Sequence, residues 1–167
     1  EYVEVYVDNN TVVLEPKDGS NLRPSMSVKV YISSPTVESL EASGASSIVT
    51  ENKITVGELS ISLSGASDAE ISAKSPKVNI DLTGASTAII SGETKDLKVE
   101  CSGASKAKCY ELLSENVTAR LAGASNAQVF ASVKIDAHVS GASDLKYKGN
   151  ATVSQKTSGA ASVKKAE

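Results

Sequence analysis

The sequence predicts an all-β chain, a parallel β-helix built from coils of 18–21 residues. Three observations carry that expectation. A Gly-Ala-Ser triplet recurs at Gly44, Gly65, Gly84, Gly103, Gly123 and Gly141, and Gly159 opens a Gly-Ala-Ala variant, at intervals of 21, 19, 19, 20, 18 and 18 residues. Apolar residues alternate with polar ones on both sides of these glycines, the period of a strand with one buried face. A block of 13 residues centred on each glycine is constant, and all variation in spacing falls in the connectors between blocks. Helical solenoids repeat at roughly 33 residues or more and show a 3.6-residue period, which is missing here.

Residues 1–37 lie outside the repeat register. Val3, Val5 and Val7 alternate, Asp8-Asn9-Asn10 reads as a turn, Val12 to Leu14 returns, and Asp18-Gly19 turns again. Val28, Val30 and Ile32 read as a further strand before Ser33-Ser34-Pro35. This segment is expected to form irregular first coils or an N-terminal cap, because a bare solenoid end exposes strand edges and core.

Residues 38–167 are expected to form one continuous β-helix domain. Before the glycines stand Leu59, Ile61 and Leu63, then Val78, Ile80 and Leu82, then Leu97, Val99 and Cys101. After them come Ala69 and Ile71, Ala88 and Ile90, Ala107 and Cys109. Each repeat thus reads as strand, tight corner, strand. The connectors 51–58, 72–77, 91–96, 110–116, 130–134 and 148–152 hold apolar residues such as Ile54, Val56, Leu112 and Leu113, which points to a short third strand. Because they absorb the length changes, they are expected to form a variable edge that accepts insertions without disturbing the core. The last coil turns polar inward at Gln155 and Thr157 and ends on Lys164-Lys165.

Stacked coils lie ~4.8 Å apart, so every position in the repeat becomes a column along the axis. The corner glycines call for positive φ or for an approach too close for a Cβ. Ser46, Ser67, Ser86, Ser105, Ser125 and Ser143 share the inward parity and read as a hydroxyl ladder satisfying corner backbone groups. A catalytic nucleophile is needed once rather than six times.

Composition removes several function classes. Net charge is −3 with no basic block, which argues against nucleic acid as a partner. The chain has no Trp and one Phe, so stacking platforms for bases or sugars are scarce. Cys101 and Cys109 are too few for a disulfide framework, and both fall on inward positions, as buried, reduced thiols would. His138 is the one histidine, and a metal would need a second imidazole or thiolate beside it. No phosphate loop, catalytic triad or calcium repeat is present, so no cofactor, metal or catalytic residue is assigned. Glu1 is not an initiator Met, and the expectation is a processed chain whose targeting signal preceded it.

The recurring Ser/Thr-Gly-Ala-Ser blocks, with Val28-Lys29-Val30-Tyr31-Ile32 upstream of Leu40-Glu41-Ala42-Ser43-Gly44-Ala45-Ser46, resemble the auto-transporter adhesin head GIN domain family. That resemblance implies a right-handed parallel β-helix, exported to the cell envelope or outer surface of Bacteroides-like bacteria, often behind a lipoprotein signal. It implies adhesion and supplies no catalytic or binding residues. The partner expected from it is a glycan or protein at the cell surface. A membrane would be reached only through a lipid anchor outside this chain.

One outward column is chemically distinctive: Glu41, Ser62, Asp81, Glu100, Arg120, His138, Lys156. Asp81 and Glu100 would stand ~5 Å apart, near the carboxylate separation of retaining glycosidases. Glu100 and Arg120 offer an ion pair. Asp81, Glu100, Arg120 and His138 are therefore the surface-binding candidates. The expected function is a non-catalytic surface-binding protein. A glycan-active enzyme and an architectural envelope spacer are the competing readings.

Overall fold

Alternation on either side of each glycine becomes parallel ladder. The structure is a computed structural model that describes residues 3–17 and 28–166. Every regular element among them is a β-strand. The chain divides into two units, Glu1–Ser34 and Pro35–Glu167.

In the first unit, β1 (Val3–Asp8) and β2 (Thr11–Pro16) form an antiparallel hairpin running from Val3↔Pro16 to Asp8↔Thr11. Its two-residue turn places Asn9 at φ 45° and Asn10 at φ 66°. Asn tolerates that left-handed geometry, and the resulting twist suits a tight hairpin. The Asp18-Gly19 turn lies outside the described residues. The strand expected over Val28–Ile32 is absent: residues 28–34 pair with no strand among the described residues. Val28, Val30 and Ile32 are exposed there. Alternation makes a strand only where a neighbour supplies the ladder hydrogen bonds.

The second unit is a parallel β-solenoid of about seven turns. Before the corner glycines run β3 (Ser39–Ala42), β6 (Glu58–Leu63), the end of β7 (Asp68–Leu82), the end of β8 (Thr87–Cys101), the end of β10 (Leu112–Leu121), β12 (Lys134–Val139) and β14 (Thr152–Thr157). They pair in that order in strict register, for example Leu63↔Leu82, Leu82↔Cys101 and Cys101↔Leu121. After the corners run β4 (Ser47–Val49), the starts of β7 and β8, β9 (Lys106–Cys109), β11 (Asn126–Phe130), β13 (Asp144–Lys148) and β15 (Ser162–Lys165). These stack likewise, as in Ala69↔Ala88, Ala107↔Ala127 and Leu145↔Val163. β5 (Ile54–Thr55) lies in the first connector.

The connectors carry the expected strand and depart from the expectation of a loose edge. β7 and β8 run unbroken through 72–77 and 91–96, pairing Ala73↔Gly92, Ser75↔Thr94 and Lys77↔Asp96. Ala73, Ser75, Thr94, Leu112 and Ser114 are buried. The connectors are thus a third face of the core rather than a loose edge. The extra residue of connector 110–116 is taken up in a turn at Tyr110-Glu111, whose Glu111 carbonyl still accepts from Gly92 N–H at 2.9 Å. A length change is harmless only where inward side chains and ladder bonds keep their places.

The core is one aliphatic column system from Ala42 to Leu145. Leu59, Leu82, Val78 and Ile135 have no solvent exposure. Burying each such side chain contributes ~1.5–3 kcal/mol. Moving up the stack, Ile61 and Ile80 give way to Ala119 and Ala137 at the same position, while Leu112 and Leu145 add volume elsewhere in the same cluster. No aromatic is needed because the interior is only one side chain deep from each wall. At the C-terminal end, Gln155 and Thr157 continue the inward columns of Ala137 and Val139 but are exposed.

Candidate functional site

The corners are built by backbone geometry. All seven corner glycines have positive φ, from 73° to 82°. A Cβ on Gly84 would lie 2.5 Å from the carbonyl oxygen of Gly65, and Gly65, Gly103, Gly123, Gly141 and Gly159 face the same obstacle one coil below. Gly44 opens the column and meets nothing within 4 Å. The close approach lets the ladder turn the corner unbroken: Ala85 N–H donates to Gly65 O at 2.8 Å and Ala104 N–H to Gly84 O at 2.8 Å. Gly92 and Gly149 mark a second tight approach away from the corners, with Ala73 O 1.9 Å and Ala131 O 2.0 Å from an added Cβ. Their signal was present: both stand in connectors, where a glycine has no turn motif to explain it.

Ser67, Ser86, Ser105, Ser125 and Ser143 are buried beneath the corners. The hydroxyl of Ser86 donates to Thr83 O at 2.9 Å, that of Ser105 to Ser102 O at 3.1 Å, and that of Ser125 to Ala122 O at 3.0 Å. Ser125 and Ser143 also meet hydroxyl to hydroxyl at 3.2 Å. Ser46 is exposed, because its coil is the first of the stack, and it bonds only Ser43 O at 2.8 Å. Each hydroxyl is occupied by backbone, so these serines serve the corner. Among the described residues no buried side-chain nitrogen or oxygen lacks a partner.

Outside the wall, pairing sets Asp81 beside Glu100, Glu100 beside Arg120 and Arg120 beside His138. Together with Ser102, Ala122 and Ser140 they line a shallow depression of about 340 Å³. Glu100 is its electrostatic centre. Lys98 Nζ donates to Glu100 Oε2 at 2.8 Å, and Arg120 Nη1 to Glu100 Oε1 at 3.3 Å. The Lys98 hydrogen bond chiefly holds this carboxyl below the usual carboxylate range against the opposing effect of burial, with the Lys98 charge and then Arg120 adding smaller help. His138 Nε2 lies 3.6 Å from Asp136 Oδ1. Neither Lys98 nor Asp136 was singled out from the sequence, although each stands two residues from a candidate and therefore on the same face. Neighbouring charges are also paired, with Lys77 Nζ 2.7 Å from Glu58 Oε1 and Asn116 Nδ2 donating to Asp96 Oδ1 at 2.8 Å.

Cys101 and Cys109 are free and buried. Burial pushes the Cys101 thiol up to about 12, and it raises Cys109 further. Both behave as small apolar groups.

The family described as "putative auto-transporter adhesin, head GIN domain" matches residues 1–151. The chain belongs to this family. The head GIN fold is also seen in solved structures. A putative adhesin from Bacteroides fragilis is 25% identical with a TM-score of 0.86, covering 99% of this chain and 77% of that one. A putative adhesin from Parabacteroides distasonis is 18% identical with a TM-score of 0.74, covering 99% and 79%. A putative lipid binding protein from the same species is 17% identical with a TM-score of 0.68, again covering 99% and 79%. No curated protein matches. The family and these neighbours are described as adhesins or a lipid binding protein, not as enzymes. The head GIN solenoid thus presents flat walls of in-register polar columns on a rigid core.

Proposed function

We propose that this protein is a non-catalytic, exported surface-binding module of the adhesin type. Its column Asp81, Glu100, Arg120 and His138 meets a surface polymer. The observation that carries the reading is Glu100 held between two cations above a shallow depression. A carboxyl kept ionised in this way is not itself a proton donor, and both of its oxygens are engaged by Lys98 and Arg120. What it can do is present fixed charge and hydrogen-bonding groups at the coil spacing. The adhesin description of the family supports export and surface display. The lipid binding neighbour supports a binding role more generally. Attachment to the envelope would come from a lipid anchor outside this chain.

The test is a glycan and matrix-protein array probed with the intact protein and with an Asp81→Ala, Glu100→Ala variant. Binding that the variant loses at unchanged melting temperature is the expected result. Release of reducing ends from any bound glycan would overturn the non-catalytic reading. Binding to nothing on the array would favour the architectural spacer.

A further inference from the structure

The wall that follows the corners carries a charge pattern unlike the wall before them. Its upper coils present Lys106 and Lys108, then Asn126 and Gln128, then Lys146 and Lys148, then Lys164, all pointing outward between buried Ala107, Ala127 and Leu145. Pairing places Lys108 beside Gln128, Gln128 beside Lys146 and Lys146 beside Lys164, an axial row at steps of ~4.8 Å. Among the described residues the one carboxylate on these upper strands is Asp144, which accepts a hydrogen bond from the Ser162 hydroxyl. Two coils lower, the same columns hold Asp68 and Glu70. The wall is therefore basic only in its upper half.

The opposite wall pairs three of its cations and leaves Lys134 and Lys156 without an ion pair among the described residues. Lys77, Lys98 and Arg120 each contact a carboxylate. Lys106, Lys108, Lys146 and Lys164 make no ion pair among the described residues. Lys146 and Lys164 are register neighbours, and like charges set directly opposite destabilise a sheet. Such a cost, with no compensating contact within the chain, is what a ligand surface tolerates. A second feature lies at its border. Phe130, the last residue of β11, pairs with Lys148. Lys148 Nζ lies 5.0 Å over the Tyr110 ring. Tyr110 and Phe130, two of the six aromatics in the sequence, are half-buried where this wall meets the connector face.

We propose that this upper basic wall, Lys106, Lys108, Lys146 and Lys164 with Gln128 and the Tyr110/Phe130 edge, binds an anionic polysaccharide laid along the solenoid axis. The lysines meet carboxylate or sulfate groups, the amides of Asn126 and Gln128 meet hydroxyls, and the aromatic edge packs against a ring face. A pyranose ring in an extended chain advances about one coil spacing, so successive sugars would face successive coils. The acidic lower coils confine the polymer to the upper half. This site is independent of the Glu100 column and stands or falls separately.

The experiment is titration of the intact protein with polygalacturonate and with heparin, with neutral dextran as control, across a salt series. Either polyanion should bind, dextran should not, and affinity should fall steeply with salt. Lys146→Gln with Lys164→Gln should weaken binding at least about tenfold, flatten the salt dependence and leave the melting temperature equal or higher. Lys53→Gln, at an exposed lysine away from this wall, should leave this binding unchanged. Wild-type protein provides a second readout: acetylation of Lys106, Lys146 and Lys164, but not of Lys74, should be slowed by the polymer. Equal binding by the lysine variant, no protection of these lysines, or tighter binding to single-stranded DNA or to phosphatidylglycerol vesicles than to either polysaccharide would overturn the proposal.

Discussion

Replacing Gly84 with alanine separates the two demands made on a corner glycine. The first demand is conformational: φ is +74°, where an L-residue with a Cβ costs ~1–2 kcal/mol. The second is steric. The new Cβ would lie 2.5 Å from Gly65 O, so the coils must part by about 0.9 Å to reach ordinary contact at 3.4 Å. That separation stretches the 2.8 Å bond from Ala85 to Gly65 beyond hydrogen-bonding range and strains the bond from Ala104 to Gly84 above it. Losing or weakening both adds ~1–3 kcal/mol. Gly44→Ala is the matched control, with the same φ of +74° and nothing within 4 Å. Urea denaturation should therefore show Gly84→Ala costing ~2–5 kcal/mol and Gly44→Ala only ~1–2 kcal/mol. Equal losses in the two variants would mean that φ alone selects glycine and that the stacking argument is wrong.

Three further outcomes are expected. Ser125→Ala should cost ~1–2 kcal/mol, since it removes a buried hydroxyl shared by Ala122 O and Ser143, whereas the exposed Ser46→Ala should cost under ~0.5 kcal/mol; equal melts would remove the ladder's structural role. Cys101 and Cys109 should resist alkylation until the protein is unfolded. Because the folded Cys101 thiol titrates near 12 and its ordinary value is 9.0, its contribution to stability is complete below pH 9 and is lost as pH rises toward 12. Cys101→Ala should flatten that alkaline decline, and an unchanged profile would show the thiol is solvated. One residue inserted between Lys95 and Asp96 should lower the melting temperature more than one inserted between Tyr110 and Glu111. The first site interrupts ladder on both sides and the second lies in a turn.

The periodic part of this protein was legible because a solenoid writes its geometry once per coil. The spacing of the seven glycines, the alternation around them and the constant block depend only on local backbone period and on stacking like upon like. They led to the solenoid, its inward columns, the buried thiols and the register that sets Asp81, Glu100, Arg120 and His138 side by side. Val28–Ile32 shows the limit of that reasoning. The alternation is present, but strand formation depends on a partner edge, which no local pattern encodes.

Three things were decided in three dimensions. The connectors joined the core because Ala73, Ser75 and Leu112 close the interior between the two walls, and variable length in sequence does not reveal whether the inward positions survive it. Glu100 acquired Lys98 as its strongest partner because rotamers, not register, choose between the cation two residues away and the one a coil above. The basic upper wall emerged only when stacking set Lys108, Gln128, Lys146 and Lys164 in one axial row with Lys106 beside it, while Lys77 and Lys98 of the other wall found carboxylates. Period sets which residues share a column. Which charges are cancelled and which remain for a ligand depends on contacts between coils, and only the folded stack contains those.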